Sequence, residues 1–315
     1  MTWLVWLLVV IGGVALIVWG AETFAEHLAV ASVRFGISAF AMALLLAGAE
    51  PEELATAVVA SLRGAPAIAF GDVIGANIAI CLVAVGVGSW IAPLPFGPRV
   101  RRYALAGLPL GALAAWFAWD GKVGRIEALA LVGAYMAFVA TIWLIERQPP
   151  ALGETAELAE AAGKPPGRVG RELGLVIAGV AAMAVGAMAL VEGIRRLSGV
   201  ESTQTKLGLT VVGFATAFEL VVLAWSSARR GISEAVVAGV IGSFAYNVTM
   251  TLGAGALARP LAISDASSLH VAWVAMLAAL VVVLIAAARA TIRRPAGALL
   301  TGLYPIFLVV ILVGV

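Results

Sequence analysis

Cysteine is nearly absent from this 315-residue chain, histidine occurs twice, and charged residues make up only 12 % of it. Cys81, the one cysteine, rules out an internal disulfide and any metal site built from several thiolates. No His-Glu-Xaa-Xaa-His, Ser-His-Asp or glycine-rich phosphate loop is present, which removes the common hydrolase and nucleotide-binding signatures. Soluble domains carry roughly a quarter of their residues as charges. With 63 % hydrophobic residues, the chain reads as an all-α integral membrane protein. A formal net charge of +2, with no basic cluster interleaved with aromatics, gives no footprint for nucleic acid. The expected surroundings are a lipid bilayer, and the sequence is silent on oligomeric state.

What is abundant is apolar sequence in runs of about 20 residues, the length that crosses roughly 30 Å of hydrocarbon as a helix. Ten spans are predicted, at about 3–26, 37–62, 67–91, 103–119, 124–145, 173–197, 206–228, 233–257, 269–288 and 297–314. Trp3, Trp19, Trp90, Trp119 and Trp143 fall near span ends, as interfacial anchors do. The first run starts almost at Met1 without a basic leader or a cleavage site, so it is expected to be a retained helix. The one extended polar segment, Glu146 to Glu172, is rich in Pro, Gly, Ala and Glu and reads as a flexible linker. The organisation is therefore a first five-helix unit over 1–145, a linker over 146–172 and a second five-helix unit over 173–315. Placing the amino terminus outside puts 13 of the 20 Lys and Arg residues in inner loops. That bias favours a cell-membrane protein with both termini outside and the linker in the cytoplasm.

The two units repeat. A shift of 167 residues, the separation of Glu52 and Glu219, aligns Ala41–Leu94 with Gly208–Leu261 without a gap. It matches Arg63-Gly64 with Arg230-Gly231, Val73-Ile74-Gly75 with Val240-Ile241-Gly242, and Pro93-Leu94 with Pro260-Leu261. Copies that begin an odd number of spans apart insert with opposite orientation, the inverted repeat of secondary transporters, whose sites lie near the midplane at broken helices. The stretch Ala47-Gly48-Ala49-Glu50-Pro51-Glu52-Glu53 fits that place. A charge at the bilayer centre costs about 2.5–3.5 kcal/mol on insertion scales. Pro51 removes a helix hydrogen bond and leaves carbonyls that only protein, water or an ion can satisfy.

These residues resemble the cation/calcium exchangers, the sodium/calcium and proton/calcium antiporters. Each of that family's two repeats carries a Gly-Thr-Ser-Xaa-Pro-Glu pattern followed further on by Gly-Ser-Asn or Gly-Ser-Asp. Here the first copy reads Ala47-Gly48-Ala49-Glu50-Pro51-Glu52 and then Gly75-Ala76-Asn77. The second reads Phe214-Ala215-Thr216-Ala217-Phe218-Glu219 and then Gly242-Ser243-Phe244, with Asn247 trailing. The resemblance implies that Glu52 and Glu219 face each other as calcium ligands, with carbonyls at Gly48 and Ala215 completing the shell. It also implies that Asn77 and Thr216 serve sodium or site hydration. Ala49, Phe244 and Phe218 depart from the pattern, and Glu50, Glu53 and Asp72 add carboxylates. Glu50 and Glu53 are three apart and share a helix face that Glu52 does not. In a regular helix, at least one of them is expected to look toward a vestibule or pair locally. His27 and His270 lie near span ends.

The expected function is antiport of a divalent cation, calcium, by alternating access, with no enzymatic activity and no resident cofactor. Protons are the expected counter-ion. Sodium sites depend on side-chain oxygens that Ala49 and Phe244 no longer supply, whereas close carboxylates emptied of their cation take up protons without such a cage. Sodium remains the alternative. An intramembrane diacid enzyme and a degenerate, non-transporting repeat protein are the rivals from other classes.

Overall fold

The computed structural model describes residues 2–34, 50–147, 169–231 and 234–314. In chain order these form α1 (Thr2–Arg34), α2 (Pro51–Leu62), α3 (Pro66–Ala79), a π-helical turn (Ile80–Ala84), α4 (Val85–Ile91), β1 (Leu94–Pro95), α5 (Pro98–Phe117), β2 (Lys122–Val123) and α6 (Arg125–Glu146). The second part comprises α7 (Val169–Ser198), α8 (Glu201–Leu207), a second π turn (Gly208–Val212), α9 (Gly213–Thr216), α10 (Phe218–Arg230) and α11 (Glu234–Tyr246). A third π turn (Asn247–Thr251), α12 (Leu252–Ala258), β3 (Leu261–Ala262), α13 (Ser267–Ala286), β4 (Thr291–Ile292) and α14 (Arg294–Gly314) complete it. Prolines start α2, α3 and α5 at the first turn, where no N–H bond is lost. Left-handed Gly64 and Gly231 follow α2 and α10, where a residue without Cβ can reverse the chain.

Among the described residues, seven helices are long and apolar enough to cross a membrane, and eight if the bent pair Glu201–Thr216 and Phe218–Arg229 counts as one span. Ten were expected. The difference falls on two segments. The second expected span is described only from Glu50 onward. α5 opens with Arg99, Arg101 and Arg102 and carries Pro109 inside it, so its apolar part is short. α6 runs through Glu146 and α7 starts at Val169. Residues 148–168 lie outside the described part, as do 35–49, which include Gly48 and the break expected before Pro51. Trp3, Trp19, Trp90 and Trp119 face outward, as residues that meet the lipid interface do.

The 167-residue shift recurs in the elements. It carries the π turn Ile80–Ala84 onto Asn247–Thr251, α4 onto α12 and β1 onto β3. Strand pairing follows the same exchange: β1 pairs antiparallel with β4 and β2 with β3. Helix contacts do so too, since α4 packs on α14 and α10 while α12 packs on α6 and α2. The core lies where α3 meets the segment that runs from α8 to α9. A Cβ on Gly213 would stand 2.5 Å from Ala76 N, and one on Gly71 would stand 2.6 Å from the Gly208 backbone. Glycine there lets two backbones touch, which is how transmembrane helices gain contact area without a hydrophobic driving force. α1 and α7 pack along their length by the same means, Gly13 on Gly186 and Gly20 on Gly179.

Candidate cation site

Both acids singled out by the repeat sit at the same place in their helices. Glu52 is the second residue of α2, behind Pro51, and Glu219 is the second residue of α10, behind Phe218. The first turn of a helix presents unbonded N–H groups and the positive end of its dipole, so a carboxylate is better tolerated there than elsewhere in an apolar span. In the second half this turn follows a 41° bend at Ala217. Thr216, the residue before the bend, donates its hydroxyl to Asp72 Oδ1 on α3 at 2.8 Å. The backbone contact between Gly213 and Ala76 brings those two side chains together.

Five acids collect around this point. Glu50, Glu53 and Asp72 are wholly buried, Glu52 is 1 % exposed and Glu219 is 8 % exposed. Glu52 is within electrostatic range of Glu219 and Glu50, and Glu53 is within range of Glu50, Glu52 and Asp72. Glu50, Glu52 and Glu53 each place a carboxylate oxygen within 4.8 Å of the others. The regular-helix premise, under which at least one of Glu50 and Glu53 looks toward a vestibule or pairs locally, does not hold at Glu50. Glu50 is the residue before the helix, with extended-side backbone angles (φ −96°, ψ 79°), so it is free of the helical spacing that separates it from Glu52. Across the interface, the Ser243 hydroxyl donates to Glu50 Oε1 and Asn247 Nδ2 donates to Glu53 Oε1 at 3.3 Å. Thr251 donates to Asn247 Oδ1 at 3.3 Å.

Ser243 and Asn247 were not among the expected site residues. Their spacing of four on one helix face was a usable signal, as was the Gly242-Ser243 pair. Of the residues that were expected, Glu50, Glu52, Asp72, Thr216 and Glu219 converge. Asn77 is buried on α3, but its described contact is Nδ2 to Met276 Sδ at 3.8 Å. Ala215 is half-buried two residues before the bend. Gly48 is outside the described residues. His27 is not alone: its Nδ1 lies 2.5 Å from Glu172 Oε2, joining α1 to α7. His270 stacks on Trp119 with ring centroids 4.1 Å apart.

The chemistry open to this arrangement is narrow. Among the described residues, the buried polar set holds these five carboxylates, three of them mutually close and Glu219 and Asp72 each within electrostatic range of one of the three, and no lysine or arginine. Both oxygens of Glu52, Oε2 of Glu53 and Oδ2 of Asp72 have no hydrogen-bond partner there. Buried acceptors of this kind call for a cation or a proton, because each left bare costs about 1–3 kcal/mol or more when charged. A large hard cation such as Ca2+ takes six to eight oxygens in flexible geometry, and carboxylate, hydroxyl and amide oxygens are what is gathered.

A bundle of apolar helices closed around buried carboxylates, with no buried Lys or Arg among the described residues, is suited to holding a cation inside a membrane. The model for sodium/calcium exchanger proteins matches residues 5–144 and 172–313, and the chain belongs to that family. It is 24 % identical over 343 aligned positions to the sodium/calcium exchanger MaX1 of Methanosarcina acetivorans, covering 96 % of this chain and 97 % of that one. It is 22 % identical over 294 to the putative antiporter CaxA of Alkalimonas amylolytica, covering 90 % and 91 %. A solved structure of the sodium-calcium exchanger NCX_Mj, soaked with sodium and strontium, shares the fold with a TM-score of 0.61 at 23 % identity, covering 96 % of this chain and 97 % of that one.

Proposed function

We propose that the chain exchanges calcium against protons across the cell membrane by alternating access, with Glu52 and Glu219 as the carboxylates that hold the divalent ion. The observation that carries this reading is the charge count: five buried acids are linked through Glu52 and Glu53, with no buried Lys or Arg among the described residues. One divalent ion neutralises two of five charges, and protons are the simplest way to hold the remainder in a site of low dielectric. Thr216 and Asp72 complete the shell, with Asn77 behind them and the Gly48 and Ala215 carbonyls as further oxygens. In vesicles free of sodium on both sides, a pH gradient is expected to drive uptake of labelled calcium. If a pH gradient of either direction drives nothing while an outward sodium gradient does, the counter-ion is sodium. The hydroxyl and amide groups of Thr216, Ser243 and Asn247 favour that second reading.

The matching elements and exchanged strand pairs support ten helices in two inverted repeats, 1–145 and 173–315, with the site at the midplane and the linker 146–172 in the cytoplasm. Cys81 is the one cysteine, so a Cys81→Ser, Glu157→Cys variant carries a single thiol, at position 157. Impermeant reagent added outside whole cells is expected to leave it unlabelled. Labelling there would reverse the orientation.

A further inference from the structure

We infer that the first half carries a second divalent-cation position, built by Glu50 and Glu53 with Glu52 as the shared ligand, beside the position between Glu52 and Glu219. This rests on the reading that Glu52 and Glu219 hold a divalent cation, and it adds a second ion to it. The repeat makes the asymmetry plain. Glu52 has its counterpart in Glu219, but the counterparts of Glu50 and Glu53 are Ala217 and Leu220. Two carboxylates therefore exist on one side only, and the symmetric pair does not need them. They are not spare surface charge, since both are wholly buried.

The geometry singles out a place for an ion. The three glutamates put one oxygen each within 4.8 Å of the others, a span that a calcium-sized ion with ligands at about 2.3–2.6 Å bridges. Two of the three are held from the opposite half, Glu50 by Ser243 and Glu53 by Asn247, through one oxygen apiece. Those bonds fix the side chains and leave Glu53 Oε2 without a partner among the described residues, at a side chain with no exposure. Independently, Thr56, three residues after Glu53 on the same helix, is fully buried and its hydroxyl oxygen also lacks a partner. Residues three apart lie on one helix face, so a neutral oxygen follows the carboxylates down α2. Tyr135 and Tyr246, both buried and nearly perpendicular with ring centroids 5.4 Å apart, are both within electrostatic range of Glu50. Two metal ions held about 3.5–4 Å apart in one protein site have precedent in two-metal enzymes.

The test counts ions with manganese(II) alone as the probe. The purified, full-length protein is titrated with Mn2+ in lipid nanodiscs without any gradient, and bound ion is read by electron paramagnetic resonance. Wild type is expected to bind two Mn2+ per chain with spectra broadened by the neighbouring spin. Glu50→Gln with Glu53→Gln is expected to bind one, with a sharp six-line spectrum, and Glu53→Gln alone serves if the double variant does not fold. One ion per chain in wild type, or two in the folded double variant, overturns the second position. Two ions bound by a protein that moves no calcium would keep the second position and remove the exchange reading. One ion bound by a protein that does exchange would remove the second position alone.

Discussion

Glu219→Gln is expected to abolish calcium transport while the protein still folds. Among the five clustered acids, Glu219 is the one supplied by the second half, so its loss leaves a divalent ion with carboxylates from one side of the interface only. Removing one partner of a buried charge pair costs about 3–5 kcal/mol, and at about 1.4 kcal/mol per tenfold this is on the order of a 100- to 3000-fold loss in affinity. Glutamine keeps the volume and one carbonyl oxygen, and it removes a charge whose repulsion acts on Glu52. The apo protein is therefore expected to be no less thermostable than wild type. Glu52→Gln should behave alike, because Glu52 holds the equivalent second position of its helix. Initial rates of labelled calcium uptake, with melting temperature as the control for folding, check this. Uptake at the wild-type rate in either variant would remove these carboxylates from the mechanism.

The second large effect concerns architecture. Gly213→Val is expected to prevent assembly of a stable protein. A Cβ there meets Ala76 N at 2.5 Å and the Gly75 backbone at 2.6 Å. Both are main-chain atoms in a fully buried helix, and no rotamer relieves such a contact. Overpacking typically costs about 1–3 kcal/mol, and more when backbones must separate. Separating them would also pull Thr216 from Asp72. The expected result is loss of the monodisperse peak on size exclusion in detergent. Gly302→Val is the control, since nothing lies within 4 Å of a Cβ at that exposed glycine. A well-behaved Gly213→Val protein with normal transport would show that the α3–α9 contact is not what holds the site.

How much of this could be read from the chain depends on the kind of signal. Hydrophobic runs are local and long, so α6, α7, α13 and α14 fall within a few residues of the expected spans. Glu52 and Glu219 stand out because an acid in an apolar run is costly, and because each occupies the same place in a repeat. Pro51 marked the start of α2, whereas the bend at Ala217 has no proline and was legible only through the repeat. The contacts that finish the site were not legible. Ser243 meets Glu50 across 193 positions and Asn247 meets Glu53 across 194, and nothing in a one-dimensional pattern encodes which faces of α2 and α11 will oppose each other. Glu50 was expected in the site, but that Glu50 and Glu53 both stand beside Glu52 was not legible, because helical spacing was applied to a residue that precedes the helix. Strands of two residues, such as β1 and β4, are too short to show an alternation of any kind.

The most direct measurement is net calcium accumulation by the purified protein in sealed vesicles, loaded with the counter-ion and diluted into labelled calcium free of it. An exchanger built on these carboxylates should raise internal calcium above the external concentration, hold it there while the counter-ion gradient lasts, and release it when that gradient is collapsed. Calcium that only equilibrates, or that fails to enter with either a proton or a sodium gradient imposed, would contradict the account.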